Sequence, residues 1–200
     1  MAAARFIGLT GAIAAGKSEA LAALGRLGAA TLSSDQVVHD LLASERVRDL
    51  LVGRWGAAVA PDGEIDRGKV GAIVFERPEE LEWLEATLHP LVAEEISAWR
   101  AGLPAGTRVA VVEVPLLFET GMQDVFDATI SIVAADEARV QRAGARGTRD
   151  LDDRAARQLS QDEKAARATH VIGNDGSLEG LEAALGNLLT ELERGVGDAA

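Results

Sequence analysis

Residues Gly11-Ala12-Ile13-Ala14-Ala15-Gly16-Lys17-Ser18 fit the phosphate-binding loop pattern G-x-x-x-x-G-K-[ST], and no other feature constrains the fold as strongly. The short apolar run Phe6-Ile7-Gly8-Leu9 precedes the loop, and Leu21, Leu24 and Leu27 follow it at helical spacing. Strand, loop and helix in that order aim successive backbone N–H groups and a helix N-terminus at one point, which suits an anion. In such a loop the lysine, here Lys17, reaches the β- and γ-phosphates of a nucleoside triphosphate, and the Ser18 hydroxyl ligates Mg²⁺. The strand–loop–helix context favours this reading over a glycine-containing turn with an incidental lysine.

The rest of the chain supplies the other parts of such a fold. Continuous apolar runs at Arg5–Leu9, Ala29–Leu32, Arg108–Val114, Ala128–Val133 and His170–Gly173 suit strands covered on both faces, as in a parallel sheet. Helical patterns over Ser18–Leu27, Gln36–Leu51, Pro78–Arg100, Asp136–Arg146, Asp153–Arg167 and Leu178–Glu193 separate them. The expected architecture is a three-layer α/β/α P-loop kinase core with a five-stranded parallel sheet. The stretch between the second and third strands is too long for one crossover helix, so residues 60–105 are expected as a helical insertion. Residues 140–165 are expected as a small helical lid, and the 200 residues as a single unit carrying both.

Composition narrows the function. The formal net charge of −12 argues against nucleic-acid binding, which relies on neutralising phosphates. The window 139–167 nonetheless holds eight of the 20 Lys and Arg residues against five acids, a local positive excess in an acidic chain. Without cysteine there is no disulfide framework or thiolate site, and three dispersed histidines do not suggest zinc. No stretch approaches membrane-spanning length, no secretory leader is evident, and nothing marks an obligate protein partner, so a soluble cytoplasmic protein is expected.

Several residues are candidates for chemistry. Asp35 follows the second strand, where ligands sit in open parallel sheets; it suits a base that takes a proton from an attacking hydroxyl, and equally an N-cap at the helix start. Glu113 lies near the end of the third strand and suits a metal-side acid, while Leu116 and Leu117 suit either core or an apolar wall for a substrate. Arg139, Arg142, Arg146 and Arg149 fall on one helical face and suit a phosphate clamp, Arg142 and Arg146 first. Pro90 is expected to kink or break the long helix beside His89, since proline costs about 3 kcal/mol in a helix interior. Asn174 suits a reader of a purine edge or a plain turn residue.

In their order along the chain these segments resemble the dephospho-CoA kinase family. The resemblance rests on Gly8-Leu9-Thr10-Gly11 before the loop, Asp35, Asp62-Gly63-Glu64-Ile65-Asp66-Arg67 with Phe75, and Leu84 to His89-Pro90. It continues through Pro115-Leu116-Leu117-Phe118-Glu119, Arg142 with Arg146, Gln158 with Lys164, and Val171-Ile172-Gly173-Asn174. It implies transfer of the ATP γ-phosphate to the ribose 3′-hydroxyl of dephospho-CoA, with ATP and Mg²⁺ as cofactors and no nucleic acid or membrane involved. The implied catalytic residues are Asp35, Lys17 and Arg142. Nucleotide contacts fall on Gly11, Ala12, Ile13, Ala14, Ala15, Gly16, Lys17, Ser18, Glu19, Arg146 and Asn174, with Ser18 on the metal. Acceptor contacts fall on Asp35, Arg67, His89, Leu116, Leu117 and Glu119.

The match departs from the family in places. Ala12, Ala14 and Ala15 stand in a loop that usually reads Gly-Gly-Ile-Gly-Ser-Gly-Lys, and an alanine held at positive φ costs about 1–2 kcal/mol. Glu19 stands where threonine is frequent and brings a negative charge near the phosphates unless it turns away. Ser33, His39 and Thr169 replace a usual aspartate, arginine and aspartate. Two other readings stay open at this stage: a P-loop kinase for a nucleoside or sugar, and a nucleotide-binding protein without catalysis.

Overall fold

The computed structural model describes residues 4–145 and 158–194, and the chain divides into two compact units. The first joins residues 1–33 to residues 103–200, and the second is Ser34–Gly102. Of the candidate lid, residues 146–157 lie outside the described residues, Arg146 and Arg149 among them.

The first unit is built on five parallel strands: β1 (Arg5–Gly11), β2 (Ala30–Ser33), β3 (Val109–Glu113), β4 (Ala128–Val133) and β5 (His170–Gly173). Their spatial order is β2-β3-β1-β4-β5, with Ile7 opposite Val111 on one side and Ala128 on the other. The apolar runs of the inner strands β1, β3 and β4 become strands buried on both faces, because α1 (Lys17–Arg26) and α8 (Leu178–Arg194) cover one face and α7 (Gln161–Arg167) packs on the other, while the edge strands β2 and β5 are only partly covered. Alternate residues Ile7, Leu9, Val109, Val111, Ile130 and Ile132 join Ala20 and Leu24 of α1 and Leu185 and Leu189 of α8 in one core. On the opposite face Phe6 stacks on Phe126, ring centroids 4.7 Å apart. Each fully buried Leu, Ile or Phe contributes about 1.5–3 kcal/mol, so these two cores fix β1, and β1 fixes the loop that leaves it. The connection leaving β1 runs to β2 on one side and the connection leaving β3 runs to β4 on the other, so the winding reverses between these neighbouring strands, where a crevice opens at their carboxyl ends.

The second unit is helical: α2 (Ser34–Ala43), α3 (Glu45–Trp55), α4 (Arg67–Glu76) and α5 (Pro78–Ala101). The single helix expected over Gln36–Leu51 is two, because Ser44 ends one and starts the other. Its hydroxyl donates to Leu41 O at 2.6 Å and accepts from Val47 N at 3.3 Å. The break expected at Pro90 is absent, and α5 continues through it. Pro90 and Ala86, whose carbonyl loses its helical donor, are both exposed, so that carbonyl is open to solvent. Leu88, Leu91, Val92 and Ile96 of α5 are buried with Val37 and Leu41 of α2, Val47 and Leu51 of α3, and Val70 of α4. A polar clamp closes the far end. Arg54 makes two bonds to the Glu80 carboxylate (2.9 and 3.2 Å), Trp55 Nε1 donates to it at 2.8 Å, and Arg54 stacks over Trp83 at 5.1 Å. The Arg54 and Trp55 bonds hold the Glu80 carboxyl below the usual glutamate range.

Candidate phosphate-transfer site

The loop Gly11–Ser18 leaves the carboxyl end of β1 and turns directly into α1. Two glycines make the turn. Gly11 has φ 154° and a Cβ there would lie 2.4 Å from Ile132 O; Gly16 has φ 98° and a Cβ would lie 2.1 Å from Asn174 Nδ2. Gly16 is also the N-cap of α1, so no side-chain acceptor sits over the first-turn N–H groups. Between the glycines Ala14 takes φ 61°, the one positive φ at a non-glycine among the described residues.

Three loop carbonyls face side-chain donors. Lys17 Nζ donates to Ala12 O at 3.1 Å, Arg139 Nε to Ile13 O at 3.2 Å, and Asn174 Nδ2 to Ala15 O at 2.8 Å. Arg142 reaches Ala15 O at 3.4 Å through Nη1 and Asn174 O at 2.8 Å through Nη2. In a trans peptide the C=O and the following N–H point in opposite directions. The N–H groups of Ala14 and Gly16 therefore point away from the side chains that hold the carbonyls of Ile13 and Ala15. Such loop amides and an uncapped helix start suit an anion, and these residues fit a nucleotide phosphate chain.

Each expected site residue has a definite place. Ser18 is exposed in the first turn of α1. Glu19 turns away from the loop: its carboxylate lies 3.2 Å from Arg26 Nη2, and Arg26 also meets Glu182 at 3.1 Å. Arg142 lies in α6 (Asp136–Ala145) and braces the loop together with Asn174, which is buried behind it. Asn174 is thus a loop-supporting side chain here, with its amide committed to Ala15 O. Glu113 is buried at the end of β3. Leu117 has no exposed surface and belongs to the core, whereas Leu116 is half-buried. Glu119 accepts from Lys164 Nζ at 2.9 Å and from Leu159 N at 2.8 Å. In the helical unit Asp35 is exposed in the first turn of α2, two residues past the end of β2, and α2 already begins at Ser34. Arg67 opens α4 beside its N-cap Asp66, and His89 is exposed on α5.

Sequence reasoning missed the bracing role of Arg139, which it read as one member of a phosphate clamp. The three-residue spacing to Arg142 was the available signal, since it puts both guanidiniums on one face of α6. The cap of α7 was missed as well, although a serine with a glutamate three residues later is its sequence signature. Ser160 and Glu163 form a reciprocal capping box, and the Ser160 bonds hold the Glu163 carboxyl below its usual value.

A phosphate loop between the central strand of such a sheet and its first helix places this chain among the P-loop phosphotransferases, a class that binds ATP and Mg²⁺. The dephospho-CoA kinase family model matches residues 5–180, and the chain belongs to that family. The dephospho-CoA kinase of Symbiobacterium thermophilum is 40% identical over 187 residues, covering 88% of this chain and 76% of that protein. That of Deinococcus radiodurans is 38% identical over 193 residues, covering 94% and 93%. Among solved structures, a Thermus thermophilus protein superposes with a TM-score of 0.81 at 36% identity, covering 95% of this chain and 98% of that one. The Campylobacter jejuni dephospho-CoA kinase does so with 0.71 at 25% identity and the same coverage. No helix among the described residues is long and apolar enough to cross a membrane.

Proposed function

We propose that this chain transfers the γ-phosphate of ATP to the ribose 3′-hydroxyl of dephospho-CoA, giving CoA and ADP. The observation that carries the reading is the braced loop at the end of β1, within a chain whose family match spans both units. The amides of Ala14 and Gly16 bind the phosphate chain, and Lys17 exchanges its contact with Ala12 O for the β- and γ-phosphates. Glu19 contributes its backbone N–H in the first turn, while its carboxylate stays with Arg26. The Ser18 hydroxyl, in the first turn of α1, would hold Mg²⁺, which would supply countercharge to the phosphates. Arg142 and Arg139 hold the loop in its receiving geometry.

Asp35 takes the proton of the attacking hydroxyl. Its position just past β2 and its exposure in the first turn of α2 support that role, and the cap role does not fit a residue already inside the helix. Arg67 and His89, both exposed on the helical unit, and Leu116 are the side chains proposed to meet the acceptor. The test is Asp35→Asn in a coupled ADP assay: loss of a general base lowers kcat by about 10²–10⁴-fold, and a near-normal kcat would remove Asp35 from the mechanism. A soluble, cytoplasmic setting agrees with this substrate pair.

A further inference from the structure

We infer that the buried Lys164–Glu119 ion pair is a positioning device that sets the root of the phosphate loop through the carbonyl of Pro115. Lys164 has no exposed surface, a rare state for a lysine. Its Nζ lies 2.9 Å from Glu119 Oε1 and donates to Pro115 O at 2.5 Å. The same carbonyl accepts from Thr10 Oγ1 at 3.2 Å, and Thr10, itself fully buried, immediately precedes Gly11 where the loop begins. Glu119 Oε1 also accepts from Leu159 N at 2.8 Å, while its other carboxylate oxygen is buried without a partner among the described residues. Four segments therefore meet at one ion pair: the end of β1, the chain leaving β3, the approach to α7, and α7 itself.

A charged pair is an expensive way to fill a core, since an apolar side chain of similar volume packs there without desolvation. What the pair adds is direction. The ammonium fixes where Pro115 O points, and that carbonyl fixes the Thr10 hydroxyl one residue from the loop. Because Nζ is enclosed, it cannot reach a bound phosphate, so Lys164 is a positioning residue and not a catalytic one. Glu119 then acts through Lys164 and Leu159, in place of the direct acceptor contact that the family resemblance implies.

The rate arm of the test rests on the phosphotransfer reading; the binding arm does not. Lys164→Met, Glu119→Gln and the double variant are compared in the full chain by melting temperature, calorimetric Kd for ADP with Mg²⁺, and kcat and KM for both substrates. Residues that act as a unit are non-additive, so each single change is expected to weaken ADP binding and lower kcat by about tenfold, with the double variant no worse than the poorer single and KM for dephospho-CoA within about twofold. The double variant leaves no orphaned charge, which keeps the comparison possible if one single variant does not fold. A lowered melting temperature with ADP affinity and kcat of the folded protein unchanged would overturn the inference. So would a raised KM for dephospho-CoA in Glu119→Gln but not in Lys164→Met. If the unsubstituted chain does not phosphorylate dephospho-CoA, the phosphotransfer reading fails while the ADP affinities still decide the role of the pair.

Discussion

Replacing Ala14 by glycine is expected to raise the melting temperature, and the same replacement at Ala12 or Ala15 to lower it. Ala14 holds φ 61°, where a Cβ crowds the following carbonyl; Ala12 and Ala15 are not at positive φ and are buried at 4% and 0% exposure. Glycine at position 14 relieves about 1–2 kcal/mol of strain and returns about 0.4–1 kcal/mol of chain entropy to the unfolded state. The net gain is about 0.5–1 kcal/mol, or a rise of about 1–4 °C for a chain of this size. At positions 12 and 15 no strain is relieved. Each loses about 0.8 kcal/mol of methyl burial and the same entropy, for a fall of about 2–8 °C. Calorimetric or circular-dichroism melts of the three variants measure the signs directly. A fall at Ala14→Gly equal to the other two would refute the left-handed geometry on which the loop account depends.

Other consequences follow from named contacts. Gly16→Ala should weaken nucleotide binding by at least about tenfold, because the new methyl meets Asn174 Nδ2; adding Asn174→Ala should recover part of that loss in the same calorimetric titration. An equal Kd with and without Asn174→Ala would mean that the clash lies elsewhere. The Arg54 and Trp55 bonds hold the Glu80 carboxyl below the usual glutamate range, so its contribution to stability is full above that range and is lost as pH falls through the lowered folded pKa. Glu80→Gln should therefore lower the melting temperature at neutral pH and flatten its fall toward acid; a parallel curve would contradict the assignment. Glu19→Thr should change the ATP Kd less than about threefold, because the Glu19 carboxylate is held at the exposed Arg26 and not at the loop. A tenfold gain in affinity would place that charge at the phosphates instead.

All five strands formed within one or two residues of the apolar runs, which burial on both faces explains for β1, β3 and β4 but not for the partly exposed edge strands β2 and β5. The phosphate loop was legible because its glycines and lysine are required at fixed spacing. What the sequence left unread depends on contacts between distant residues. Asn174 reads as a purine-edge reader or a turn residue until Gly16 is brought against it, and Arg139 as part of a phosphate clamp until Ile13 O faces it. Leu117 and Leu116 are adjacent and alike in chemistry, yet only packing shows that the first is core. Ser44 splits a helix through bonds to residues three away on either side, a local signal that the apolar periodicity of α2 and α3 masked. Pro90 misled in the opposite direction, because the cost of proline inside a helix falls when the freed carbonyl can be hydrated.

The most direct test of the account is ADP formation from ATP and Mg²⁺ with dephospho-CoA as acceptor, run beside nucleoside and sugar acceptors, with the product's phosphate position assigned by phosphorus NMR. The account predicts turnover with dephospho-CoA alone and a new phosphate on the ribose 3′-oxygen. Comparable turnover with a nucleoside or sugar, or none with dephospho-CoA, would contradict it.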